Sequence, residues 1–166
     1  MKEQLFLFFL FSLILFSCKK SDDKKIELLS KYDKVRLISY NKHRNVYGTK
    51  YELKIENDTI NIPNVKFIDN VVLDNNFSKK IINVLLLKER ECIKADCYNP
   101  RHIILFYKQN KLIDFYEFCA ECGGSMQSKN INFPELCSEK GDKLISIFKE
   151  MKLKNNGEEN ENYKYF

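Results

Sequence analysis

The chain has 166 residues but only five glycines and three prolines. With no Gly-x-y period and no proline-rich tract, collagen-like and mucin-like chains are excluded. A hydrophobic share of 44% excludes a wholly disordered chain. A single apolar run exists and it is short, so a polytopic membrane protein is excluded too. Histidine is scarce: there are two, His43 and His102. The G-x-S-x-G, P-loop, G-x-G-x-x-G and H-E-x-x-H motifs are all missing. No pair of carboxylates stands out from ordinary surface charge, so an enzyme is not the favoured expectation. The net charge of +5 is spread among interspersed Lys and acidic residues, without an arginine stripe. A nucleic-acid partner is therefore not expected.

What is present begins with a leader. Residues 5–16 read LFLFFLFSLILF. As a helix they would rise about 18 Å, well short of a hydrocarbon core about 30 Å thick. That length fits the apolar region of a signal peptide, behind a weakly basic start in which Glu3 offsets Lys2. The run ends in Leu15-Phe16-Ser17-Cys18, which resembles the bacterial lipoprotein box, where a small residue precedes a cysteine that becomes lipidated. Phe16 is bulkier than that box usually carries. The resemblance implies a lipoprotein signal peptide over residues 1–17, acylation of Cys18 and attachment to a membrane. An ordinary signal peptide or a buried apolar helix is the alternative.

Cleavage before Cys18 would leave 149 residues and the same net charge of +5, because one Lys and one Glu leave together. Residues 18–25 would then be the lipidated Cys18 and a polar tether, Lys19 to Lys25. Acidic residues just after such a cysteine resemble the surface-export signal of lipoproteins in the Bacteroidota. The location implied is the bacterial cell envelope, anchored by lipid to the outer membrane, with display at the surface as a further suggestion. An envelope or extracellular partner is expected, without its identity.

Residues 26–153 read as one globular α+β domain, and residues 154–166 as a polar, disordered tail. A short helix is expected over 24–32. The alternation in 34–40, KVRLISY, suits a strand. Residues 51–62 look like a hairpin turning at Asn57-Asp58, and 65–73 like another strand. Phe77, Ile81, Val84 and Leu85 fall at i, i+4, i+7 and i+8, so a helix is expected over about 77–88 with Asn76 as its N-cap. Leu144, Ile147, Phe148 and Met151 repeat that spacing over about 139–153, with Ser138 as N-cap.

The clearest hairpin is about 102–118, turning at Gln109-Asn110. Its first strand is apolar on both faces, which suits a central strand of a mostly antiparallel sheet carrying the helices on one side. Lys108 opposite Lys111 would place Phe106 opposite Ile113 and His102 opposite Glu117. Extended further, Cys119 falls opposite Pro100 and Cys97 opposite Cys122.

Five cysteines remain beside Cys18: Cys92, Cys97, Cys119, Cys122 and Cys137. Three readings compete for the cluster. Structural disulfides among Cys97, Cys119, Cys122 and Cys137 suit an oxidising envelope, with Cys97 joined to Cys119 or Cys122. Alternatively, Cys119-Ala120-Glu121-Cys122-Gly123-Gly124 resembles the C-x-x-C-G knuckle of zinc ribbons and rubredoxin. That resemblance implies a zinc site of Cys97, His102, Cys119 and Cys122, with Cys137 able to replace one ligand. His102 by itself reads more simply as a hydrogen-bonded structural residue. Thiol redox catalysis is the third reading, disfavoured because no helical pattern opens after Cys122.

Cys97-Tyr98-Asn99-Pro100-Arg101-His102, then Ile104-x-Phe106-Tyr107, then Phe118-Cys119-x-x-Cys122, then Leu136-Cys137-Ser138-Glu139-Lys140 resembles a group of exported proteins of the Bacteroidota to which no activity attaches; Cys92 departs from that pattern, which implies that it is the spare thiol. The expected function is therefore a lipid-anchored, non-catalytic binding module with a cysteine-braced loop cluster, against a zinc-binding envelope protein.

Overall fold

A computed structural model describes residues 27–41, 54–56, 58–61, 66–92 and 99–157. The leader, Cys18, the tether, His43, Asn57, Cys97 and residues 158–166 lie outside the described residues. Among those described, no helix is long and apolar enough to cross a membrane. The chain divides into two units, Met1–Lys31 and Tyr32–Phe166. In the first, residues 27–31 form one helical turn, where the Ser30 hydroxyl donates to the Glu27 carbonyl.

The second unit is an α+β fold. Its elements are β1 (Lys34–Tyr40), β2 (Lys54–Glu56), β3 (Thr59–Asn61), β4 (Phe67–Val72), α1 (Asn75–Leu86), β5 (His102–Lys108), β6 (Lys111–Phe118), β7 (Ser125–Gln127) and α2 (Ser138–Glu150). Five strands form an antiparallel sheet in the order β4-β1-β5-β6-β7, and β2 pairs with β3 separately. β5 is central, and every residue from His102 to Tyr107 is buried. That burial accounts for its apolar character on both faces.

One face of the sheet carries Ile38, Tyr40, Ile103, Leu105 and Tyr107, with Ile60, Leu112 and Phe115 packed on them. The other carries Leu37, Ile104, Phe106, Tyr116 and Phe118. There α2 lays Phe148 against His102 and Phe118, with ring centroids at 4.8 and 6.1 Å, and Phe133 packs on Phe106 and Tyr116.

The turn of the β5–β6 hairpin puts both Gln109 (φ 52°) and Asn110 (φ 64°) in the left-handed region. This twist matches the strands, and glycine normally supplies it. Here the turn is held from β1 and its approach: Asp33 accepts from the Gln109 N–H at 2.6 Å, and Lys34 Nζ donates to Asn110 Oδ1 at 3.0 Å.

The register departs from the simple expectation. Lys108 pairs with Lys111 and Tyr107 with Leu112, but a bulge then pairs Phe106 with Asp114 and His102 with Phe118. Ile113 is the extra residue and stands 39% exposed. Beyond a bulge, alternation restarts one residue later, so Asp114, Tyr116 and Phe118 take the helix-covered face. Asp114 is tolerated there because Tyr32 and Ser128 hydroxyls donate to its two oxygens, each at 2.6 Å.

The helix ends are also corrected. α1 is capped by Asp74, whose carboxylate accepts from the Phe77 N–H at 2.8 Å, so Asn76 lies inside the first turn. α2 has Cys137 at its N-cap position, and Ser138 is its first helical residue. α2 stops at Glu150 because Lys152 turns left-handed (φ 57°) and the Leu153 N–H returns to the Phe148 carbonyl at 3.1 Å.

The expected disordered tail is corrected over residues 154–157. Leu153, Asn155 and Gly157 are buried. Asp69 accepts from the Lys154 and Asn155 N–H groups at 3.0 and 2.9 Å, and the Asn155 side chain donates to the Tyr40 carbonyl at 2.9 Å. Polar composition alone hid a strap whose Lys154 N–H and Asn155 groups bond inward.

Candidate functional site

Among the described residues two disulfides lie at different places in the fold. Cys119–Cys122 closes the six-residue connection from β6 to β7. Cys119 leaves β6 with its N–H donating to the Gly124 carbonyl at 2.9 Å, and Gly123 returns a bond to the Cys119 carbonyl at 3.0 Å. Gly123 has φ 72°, which glycine adopts without strain. The Cys122 N–H donates to Cys119 Sγ at 3.2 Å. Arg101, buried beside this turn, pairs with Glu121 at 2.8 Å. From the far side the first turn of α2 closes in: a Cβ on Gly141 would stand 2.1 Å from the Ala120 carbonyl oxygen.

The second disulfide, Cys92–Cys137, joins residues 45 apart in sequence. It ties the stretch after α1 to the head of α2. Glu89 makes a second tie there, accepting from the backbone N–H groups of Glu139 and Lys140 at 3.3 and 2.9 Å. A carboxylate at that position satisfies helix donors that Cys137, bound in a disulfide, leaves open.

Lys140 is fully buried, and its ammonium donates to three carbonyls: Leu85 at 3.0 Å, Pro134 at 2.8 Å and Glu135 at 2.9 Å. All three donors are used, which is what makes a buried ammonium tolerable. Burial nonetheless pulls Lys140 down to about 8, with Glu89 opposing. The sequence carries this signal: position 140 precedes Leu144, Ile147 and Phe148 at helical spacing, so a lysine stands in the apolar stripe.

His102 is 1% exposed, between the rings of Phe118 and Phe148. Its Nε2 lies 2.9 Å from the Asn155 carbonyl. A carbonyl accepts only, so Nε2 carries the proton and Nδ1 is a bare acceptor, without a partner among the described residues. Burial lowers His102 to about 4; the Asn155 carbonyl opposes this, Arg101 adds to it and Asp69 opposes it.

These positions correct the expected clusters. Cys119 and Cys122 pair with each other, so neither bridges Cys97, which lies outside the described residues. Cys92, expected to be spare, is bonded to Cys137. The zinc set does not fit: zinc takes thiolates about 2.3 Å away, whereas these sulfurs are bonded to each other and the His102 Nε2–H faces a carbonyl. Among the described residues, the one trio of His, Cys or acidic side chains at ligating distance is Cys92, Glu135 and Cys137, without His102. The register shift contributes to this, because it sets Phe118 rather than Glu117 opposite His102.

The chain matches no family model, no curated protein and no solved structure. Its chemistry therefore rests on its own geometry. That geometry offers two sulfur bridges flanking the first turn of α2, and internal partners for Asp114, Lys140 and Arg101. Sequence reasoning missed Lys140, Glu89, Asp69 and Asn155, whose partners lie 50 or more residues away for Glu89 and Asn155.

Proposed function

We propose that this protein is an exported lipoprotein of the bacterial envelope, held to the membrane at Cys18, whose body is a non-catalytic binding module braced by cysteine bridges. The observation that carries the reading is the pair of disulfides, Cys92–Cys137 and Cys119–Cys122. Such bridges belong to proteins matured in an oxidising compartment, which is where the leader at residues 5–16 would send the chain. In the chain-entropy account, the 45-residue closure adds about 4 kcal/mol of stability and the short one about 2. A small domain outside the cytosol, away from cytosolic chaperones, benefits from that rigidity.

The full chain is to be expressed in an envelope-bearing bacterium and its membrane fraction analysed by mass spectrometry. The expected amino terminus is Cys18 carrying a diacylglyceryl group and an amide-linked acyl chain. Cys18→Ala should leave the membrane fraction or keep its leader. A native chain beginning at Met1, or cleaved without acylation, overturns the anchor. Turnover of a defined substrate that is abolished by His102→Ala would overturn the non-catalytic part.

A further inference from the structure

The two disulfides differ in access. Cys119 and Cys122 are 3% and 7% exposed, so both ends of that bridge are buried residues. Cys137 is 2% exposed, but Cys92 stands in solvent. An incoming thiolate needs a path to one sulfur, and of the four bridged cysteines Cys92 is the exposed residue.

The sulfur that would leave is Cys137 Sγ, and its surroundings suit a departing anion. Cys137 holds the N-cap position of a 13-residue helix, at the positive end of the dipole. The Glu135 carbonyl oxygen, 3.8 Å from Cys137 Sγ, disfavours an anion there, but Lys140 Nζ donates to that same oxygen at 2.9 Å and offsets its negative charge. A leaving thiol of lowered pKa departs faster. Glu89, Glu135 and Glu139 oppose this from the same helix head.

We propose that Cys92–Cys137 is an exchangeable disulfide, opened by an external dithiol, and that opening it releases the segment 87–92 from the head of α2. One thiolate of the dithiol attacks Cys92 Sγ. The Cys92–Cys137 bond breaks, its electron pair leaves with Cys137 Sγ, and a mixed disulfide forms on Cys92. The second thiol of the reductant loses its proton and attacks its own sulfur in that mixed disulfide, expelling Cys92. The dithiol becomes a disulfide, two electrons pass to the protein, and Cys92 and Cys137 end with two protons between them. The segment is then held at the helix head by the Glu89 cap alone among its described ties there. The freed Cys137 sulfur is an acceptor at the N-cap and competes with Glu89 for the same N–H groups, so the second hold weakens as the first is lost.

The inference rests on the bridges and not on the lipid anchor, so an unacylated chain would leave it standing. The full chain is exposed to limiting dithiothreitol, quenched with iodoacetamide and mapped by peptide mass. Cys92 and Cys137 should alkylate together, about tenfold sooner than Cys119 and Cys122. Excess glutathione, a monothiol, should be trapped on Cys92. Amide hydrogen exchange over 87–92 should rise in step with opening. Glu89→Gln removes a negative charge from the helix head that carries the leaving sulfur and should speed opening roughly threefold. Cys97→Ser should leave the order of opening unchanged. Equal or earlier opening of Cys119–Cys122, glutathione on Cys137, unchanged exchange over 87–92, no acceleration in Glu89→Gln, or an order that depends on Cys97 would each overturn the proposal.

Discussion

At the scale of single residues, burial sets the chemistry. His102 has a neutral ring because Phe118 and Phe148 exclude water and the Asn155 carbonyl fixes the proton on Nε2. Its pKa falls from 6.5 to about 4 in the fold. Between those values the unfolded chain binds the proton and the folded chain does not. Stability is therefore fully present above pH 6.5 and falls as the pH drops toward 4, by up to about 3 kcal/mol. Urea unfolding at a series of pH values should show that slope, and His102→Phe, which keeps the ring stack, should flatten it. An unchanged slope in the variant would assign the acid sensitivity to other groups. The histidine was visible in the sequence as a structural residue. Its partner was not, because Asn155 lies 53 residues away in a stretch whose composition reads as solvent-exposed.

At the scale of elements, periodicity located α1, α2, β1 and the β5–β6 hairpin to within a few residues, because a half-buried element must repeat its apolar side chains at its own period. The ends were less legible. Ser138 and Asn76 are good capping residues, yet Asp74 caps α1 and Glu89, from another segment, bonds the first turn of α2. Lys152 ends α2 in a conformation usually left to glycine, so no glycine marked the stop. β7, Ser125–Gln127, carries no pattern at all; it is three residues long and forms because the Cys119–Cys122 turn folds it back on β6.

Gly141 shows how contact between elements outweighs propensity. Glycine to alanine inside a helix ordinarily adds about 1 kcal/mol of stability. Here the new Cβ would sit 2.1 Å from the Ala120 oxygen, a backbone atom fixed by the disulfide turn. Gly141→Ala should therefore destabilise the protein, by about 1–3 kcal/mol, as read from the urea midpoint. A stabilised variant would mean that the turn and α2 are not in close contact.

At the scale of the whole molecule, the strap after α2 ties together parts far apart in the chain. Residues 153–157 bond to Asp69 on β4, Tyr40 on β1 and His102 on β5. A chain ending at Lys152 would lose these bonds and the burial of Leu153. At about 1 kcal/mol for each of the four hydrogen bonds and about 2 for the leucine, it should be less stable by roughly 6 kcal/mol. A thermal midpoint equal to that of the full chain would show that the strap contributes nothing.

The sequence by itself determined the α+β class, the central hairpin, two helices and the oxidisable cysteine set, because periodicity and composition are local and survive in a single string. Which sulfur meets which, the one-residue bulge at Ile113, the buried ammonium of Lys140 and the strap over His102 were decided by tertiary structure. Each depends on a partner distant in sequence, and whether a polar group stays in water or is buried is settled only when that partner arrives to satisfy it.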